Sequence, residues 1–341
     1  MKRLLALVLV FVLSFTLVGC GSGGSEVNTS TTENSGQEQV VLKLGHIVKP
    51  DGPVAKAAVK FAEDVFEKTN GAVKIEVYDS GTLGSQRDLL EGLAIGTVDI
   101  TISSPAIMSG IIPSVSVLDL PYIFKDKEHA YAVLDGEIGQ EIFAPFERLG
   151  YKCISVWENG FRHITNSKRK IESPADLKGL KIRVPESKLY MVMMEALGAQ
   201  PTPMEFGELF TALQNGIVDG QENPISQIYS SKFHEVQKFM TLDSHIYATQ
   251  PVLISNKALE KIPEEYRQIL IECCNEARDW QRALVAETES KMLEEMAAAG
   301  MEITTLTPEQ MQAFTEAMAD VWAMFEEDIG RELIDKVANY K

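Results

Sequence analysis

The residues best equipped for chemistry lie between Asn159 and Pro224. Arg162 stands in NGFRHITNSKR, Arg183 in SPADLKGLKIRVP, and Asn223 in ALQNGIVDGQENP. A guanidinium is charged at any physiological pH, and its planar fork of donors fits a carboxylate through two parallel hydrogen bonds. Two arginines on neighbouring loops, with the Asn223 amide beside them, make a site for a small organic acid. Asn159-Gly160 reads as a tight turn after a strand over 153–157, so Arg162 is expected at a strand end. In KIRVP, Ile182 and Val184 would face a core and Lys181 and Arg183 the other side. By residue type alone, an arginine is ordinarily a solvated surface charge, and that reading stays open for both.

Other chemistries find little support. There is no nucleophile elbow, no HExxH, no phosphate-cradling glycine loop and no dinucleotide fingerprint. The histidines at 46, 129, 163, 234 and 245 lack metal-ligand spacing. No metal, no cofactor and no catalytic residue is therefore expected. The formal net charge is −17, which opposes nucleic-acid binding, since that needs a basic face. An anion site on so acidic a body must be local and built by its own arginines. Cys153, Cys273 and Cys274 fit neither a metal site nor a disulfide framework and read as buried small apolar residues.

These groups need a scaffold. Val40–Gly45 and Val73–Tyr78 read as strands, with a helix over 53–70 between them and another over 87–95. This strand–helix alternation predicts an α/β fold built on mostly parallel sheet. LLEGLAIGTVD (89–99) is echoed by LFTALQNGIVD (209–219), each a helix ending in glycine before a strand, which points to two lobes of similar build. The segment 264–299 contains neither Gly nor Pro and predicts a helix about 54 Å long. Ile269, Cys273, Ala277, Trp280 and Leu284 would share its buried face, and two kinked helices are the alternative.

The N-terminal residues read as an address. Lys2 and Arg3 precede an apolar run from Leu4 to Val18 that ends at Leu-Val-Gly-Cys. The run is short for a bilayer span and fits a signal peptide over 1–19, with Cys20 at a lipobox as the lipidated residue. Residues 21–39 are almost wholly polar and read as a disordered tether. The expected location is the extracytoplasmic face of a bacterial cell membrane.

The three quoted blocks resemble the DctP-type substrate-binding proteins of tripartite ATP-independent periplasmic (TRAP) transporters, and weaker similarity runs from about Val40 to Val337. The resemblance implies a two-lobed periplasmic-binding-protein-like fold crossed by a long helix. Lobe I would comprise 40–160 and 249–285, and lobe II 161–248 and 286–341. It implies that Arg183 pairs with the ligand carboxylate, that Arg162 is a second cationic contact and that Asn223 holds the carboxylate or a nearby hydroxyl. The first lobe and cleft rim would then supply His46, Gln86, Arg87, Ser104 and Phe206. Each has a plainer reading: a satisfied loop histidine for His46, a surface charge for Arg87 and core for Phe206. Sialate-binding members carry acidic residues near the positions of Gln86 and Ser104, so an amino sugar acid is disfavoured. C4-dicarboxylates, uronates and other sugar acids, and 2-oxo or 2-hydroxy acids remain open. The implied partners are the small and large TRAP membrane subunits, and the implied energy source is an ion gradient. The competing classes are a surface-anchored enzyme acting on a small carboxylate and a lipoprotein presenting ligand to a membrane sensor.

Overall fold

A computed structural model describes residues 39–340. The expected signal peptide, Cys20 and all but the last residue of the tether lie outside the described residues. The described residues form one compact unit. Its strands are β1 (Val40–Gly45), β2 (Val73–Tyr78), β3 (Ile100–Ile102), β4 (Tyr151–Asn166), β5 (Lys181–Val184), β6 (Gln200–Pro203), β7 (Gly220–Pro224), β8 (Phe239–Leu242), β9 (Tyr247–Ser255) and β10 (Glu302–Thr305). They pair in the order β2-β1-β3-β9-β4-β7-β5-β6, with β8 on β4 and β10 on β8. The flanks are parallel: β1 with β2 and β3, and β5 with β6 and β7. The centre is antiparallel, where β9 and β4 join the flanks. The parallel sheet expected from strand–helix alternation thus holds on each flank, while the seam is mixed.

Strand β4 unites the halves. Tyr151–Phe161 pairs with β9, and Arg162–Asn166 pairs with β7 and β8. The strand therefore does not end before Arg162, which corrects the tight-turn reading of Asn159-Gly160. Gly160 has φ +108 at a register slip between Glu158 and Gly160. A glycine there lets the strand bulge and bend without breaking, so the turn signal is spent on a bulge.

The internal echo is a repeated joint. Gly96 ends the helix Gln86–Ile95 with φ +87, and Gly216 follows the helix Leu209–Gln214 with φ +67. Three residues later the aspartates do the same work. The Asp99 carboxylate accepts from the Lys43 backbone N–H and the Asp219 carboxylate from that of Lys181, both at 2.9 Å. In return the Asp99 and Asp219 N–H groups donate to the carbonyls of Lys43 and Lys181. Each aspartate locks the start of a parallel strand to its neighbour.

The helix Glu264–Ala298 is unbroken over 35 residues. It packs on the helix Pro53–Lys68, on β4 and on the helix Ile225–Ser230. Its buried residues include Leu270, Cys273, Cys274, Ala277, Gln281 and Val285. This stripe is rotated from the expected one, and Trp280 is 39 % exposed. Polar contacts to β4 decide the rotation. Gln281 exchanges two hydrogen bonds with the Glu158 backbone, and the Trp157 indole donates to the Cys274 carbonyl at 3.1 Å. Cys273 and Cys274 are fully buried and Cys153 is half-buried; all three are free thiols. No helix among the described residues is long and apolar enough to cross a membrane.

Candidate functional site

Three adjacent strands assemble the site. In β4 and β7, Arg162 pairs with Pro224 and Ile164 with Glu222, so Arg162 and Glu222 are diagonal neighbours across an antiparallel pair. On the far side of β7, Arg183 of β5 lies opposite Gln221. The order β4-β7-β5 thus draws two arginines distant in sequence to either side of QENP.

The arginines have different fates. Arg162 is buried and donates through Nε and Nη2 to both carboxylate oxygens of Glu222, the second at 2.8 Å. Its Nη2 also reaches the Glu222 carbonyl at 2.6 Å and Asn223 Oδ1 at 3.2 Å, and Tyr190 lies against its plane. Glu222 Oε2 continues to His245 Nε2 at 3.2 Å, and His245 Nδ1 meets Asp243 at 2.7 Å. Burial opposes the charge on His245, but Asp243 and Glu222 outweigh it and raise its pKa to about 9. Burial alone would raise Glu222, yet Arg162 and His245 hold it below the usual carboxylate range. Two cations and two anions therefore form a balanced buried chain.

Arg183 is 3 % exposed and makes no ion pair with any described carboxylate. Its Nε and Nη2 donate to a single acceptor, the Met204 carbonyl, at 2.9 and 2.6 Å, and the Phe206 ring lies 5.8 Å from its guanidinium carbon. Burial pushes its pKa down to about 10. Buried charges are normally paired; Arg183 has no carboxylate within ion-pair reach, although Glu222 and Glu205 act on its charge from farther away.

Arg183 borders a cleft that spans about 590 Å³ when the open solvent at its mouth is included. Arg183, Arg162, Asn223, Phe206, Gln86, Arg87 and Ser104 all border it. Gln86 Oε1 is fixed by the Ser104 N–H at 2.7 Å and the Ser103 hydroxyl at 3.0 Å. Arg87 is half-exposed and stands 3.7 Å from Glu186 across the cleft mouth. His46 is not on this wall. It is buried at the end of β1, neither ring nitrogen has a partner, and burial lowers its pKa to about 4; Ile47 and Val48 border the cleft instead.

Sequence reasoning missed the groups behind the arginines. Glu222 was in view within QENP, but nothing local marks it as the partner of Arg162; only the strand register does. Asp119 was not foreseen at all. It ends the turn Pro113–Asp119, makes no hydrogen bond of normal geometry and lies near Arg162 and Tyr190. Burial pushes its pKa up to about 7, with Arg162 opposing. Among the described residues no cluster of His, Cys, Asp and Glu could hold a metal ion.

Residues 44–328 match the family model DctP, bacterial extracellular solute-binding protein, family 7. The chain is 37 % identical to the 2,3-diketo-L-gulonate-binding periplasmic protein of Escherichia coli over 87 % of its own length and 90 % of that protein. A TRAP periplasmic solute-binding protein from Sulfurospirillum deleyianum, solved with succinate, superposes with TM-score 0.85 at 35 % identity, covering 89 % of this chain and 99 % of that one. One from a Polaromonas species with D-erythronate gives the same TM-score, identity and coverages. A mixed sheet crossed by a long helix, a cleft holding an unpaired arginine and a match over most of the chain lead to one statement: this protein belongs to the DctP family of TRAP-transporter solute-binding proteins.

Proposed function

We propose that the protein is an extracytoplasmic lipoprotein that captures a small organic acid and delivers it to TRAP membrane subunits, without catalysing any reaction on it. The observation that carries this reading is Arg183, buried in the cleft with no carboxylate partner. The acid's carboxylate sits on Arg183, with Arg162 and Asn223 beside it. Phe206, Gln86, Arg87 and Ser104 line the remainder. Lobe I comprises 40–160 and 249–285, and lobe II 161–248 and 286–341. The lobes close by bending at β4 and β9, where Gly160 pairs with Ala248. Only the closed form makes ligand contacts from both sides, so ligand selects it. The loaded form docks on the membrane subunits, and an ion gradient drives uptake. Cys20 carries the lipid, and residues 21–39 link the body to the membrane.

A thermal-shift screen against organic acids tests the reading, because a ligand of the folded state raises the melting temperature by mass action. The cognate acid should raise it, leave it chemically unchanged and compact the protein in small-angle scattering. Arg183→Ala should abolish the shift. Turnover of the acid, or a full shift in Arg183→Ala, would refute the proposal.

A further inference from the structure

We infer that the cleft is built for a hydroxylated monocarboxylate, an acid of the aldonate or 2-oxo sugar acid type, and that Gln227 reads one of its hydroxyls. This rests on the reading of the cleft as an organic-acid site and narrows it to one chemical class.

The first argument is charge. Three arginines border the cleft: Arg162 is compensated by buried Glu222, and Arg87, exposed to solvent at the mouth, stands 3.7 Å from Glu186. Arg183 alone makes no ion pair, with Glu222 and Glu205 acting on its charge only from farther off. Glu186 and Glu205 also border the cleft, and the Glu205 carboxylate accepts from the Gly207 N–H. The cleft therefore compensates one carboxylate. A second, stripped of water, would meet glutamates rather than a free cation, and like charges in a desolvated site disfavour each other.

The second argument is hydrogen bonding. Gln227 is 5 % exposed and borders the cleft. Its Nε2 donates to Asn159 Oδ1 at 3.1 Å, while its Oε1 is buried without a donor. Turning both amides over changes which residue holds the spare oxygen, but one amide oxygen stays unused either way. That acceptor needs a donor. An ionised carboxylate has none, and a hydroxyl does. Nearby, Gln86 has its oxygen occupied by Ser103 and Ser104, which leaves its amide N–H groups for ligand oxygens. Gln250, Ser85 and Ser104 add neutral polar groups to the lining that suit a hydroxylated chain.

A matched four-carbon series, measured by calorimetry at pH 7.5, tests this: D-erythronate, succinate and butyrate, with D-gluconate for the longer chain. The better of the two hydroxylated acids should bind at least thirtyfold tighter than succinate or butyrate. Gln227→Leu should weaken the hydroxylated acid at least tenfold and leave succinate and butyrate within twofold, with the melting temperature of the unliganded variant as a folding check. Sites that hydrogen-bond a hydroxyl reject analogues lacking it far more strongly than apolar pockets do. Succinate binding as tightly as the hydroxylated acids, neither hydroxylated acid binding, or Gln227→Leu weakening all ligands alike would overturn the inference. The rank order in the unaltered protein decides it even if the variant fails to fold. Tight succinate binding that Arg183→Ala abolishes would sink only this inference and leave the acid-binding function standing.

Discussion

Replacing Arg183 by methionine should weaken ligand binding and, in the empty protein, fail to destabilise the fold. The two effects have one cause. Burial lowers the Arg183 pKa to about 10, and a fall of that size penalises the buried charge by about 3 kcal/mol. Two hydrogen bonds to the Met204 carbonyl offset part of this, on the order of 1–3 kcal/mol together. The empty site is thus close to balance, and removing the cation should change apo stability by about 1 kcal/mol or less, in either direction. An incoming carboxylate gains the compensation that the protein withholds. Its loss in Arg183→Met, or Arg183→Ala, should cost about 3–5 kcal/mol of binding, the usual penalty when one partner of a buried ion pair is removed. Arg183→Lys should recover little of it, because an ammonium cannot present the two-pronged fork. Urea melts of the empty protein and calorimetry with the cognate acid measure the two sides separately. A variant that loses several kcal/mol of apo stability while binding its acid normally would refute the reasoning, since Arg183 would then be a structural residue.

Arg162→Ala should behave oppositely: it leaves Glu222 buried with half its partners gone, and denaturant melts of the empty protein should show a loss of about 3–5 kcal/mol. Stability should also fall as pH rises from about 6.5 to about 9. His245 has a folded pKa near 9 against about 6.5 unfolded, so its contribution is complete below the lower value and is lost on passing the upper. Asp119, raised to about 7, adds a loss in the same direction, but below pH 7; His245→Gln should therefore flatten the arm above pH 7 in melts taken across the range, and an unchanged slope would assign that arm elsewhere. Gly160→Ala should destabilise by roughly 1–2 kcal/mol. The space beside Gly160 is ordinary, with neighbours at 3.6 Å, and φ +108 is the obstacle. Paired denaturant melts and scattering on the same variant would read both the strain and any change in closure.

Much of this protein was legible in its sequence because the signals were local. Alternating apolar residues marked β1 and β2, an uninterrupted helical run marked Glu264–Ala298, and the repeated helix–glycine–strand joint announced two similar halves. The residue types around Arg162, Arg183 and Asn223 suggested a carboxylate site, and the structure gathers all three around one cleft. Tertiary structure decided what each group does there. Asn159-Gly160 carries the same turn signal in a hairpin or a bulge, and only the partner strand β9 determines which. Trp280 matches an apolar stripe, but the bonds from Trp157 and Glu158 turn the helix so that Gln281 is buried in its place. Above all, two arginines look alike in one dimension. Strand register gives Arg162 a carboxylate and leaves Arg183 without one, because charge compensation depends on which side chains share a dry space, and that is a property of three dimensions.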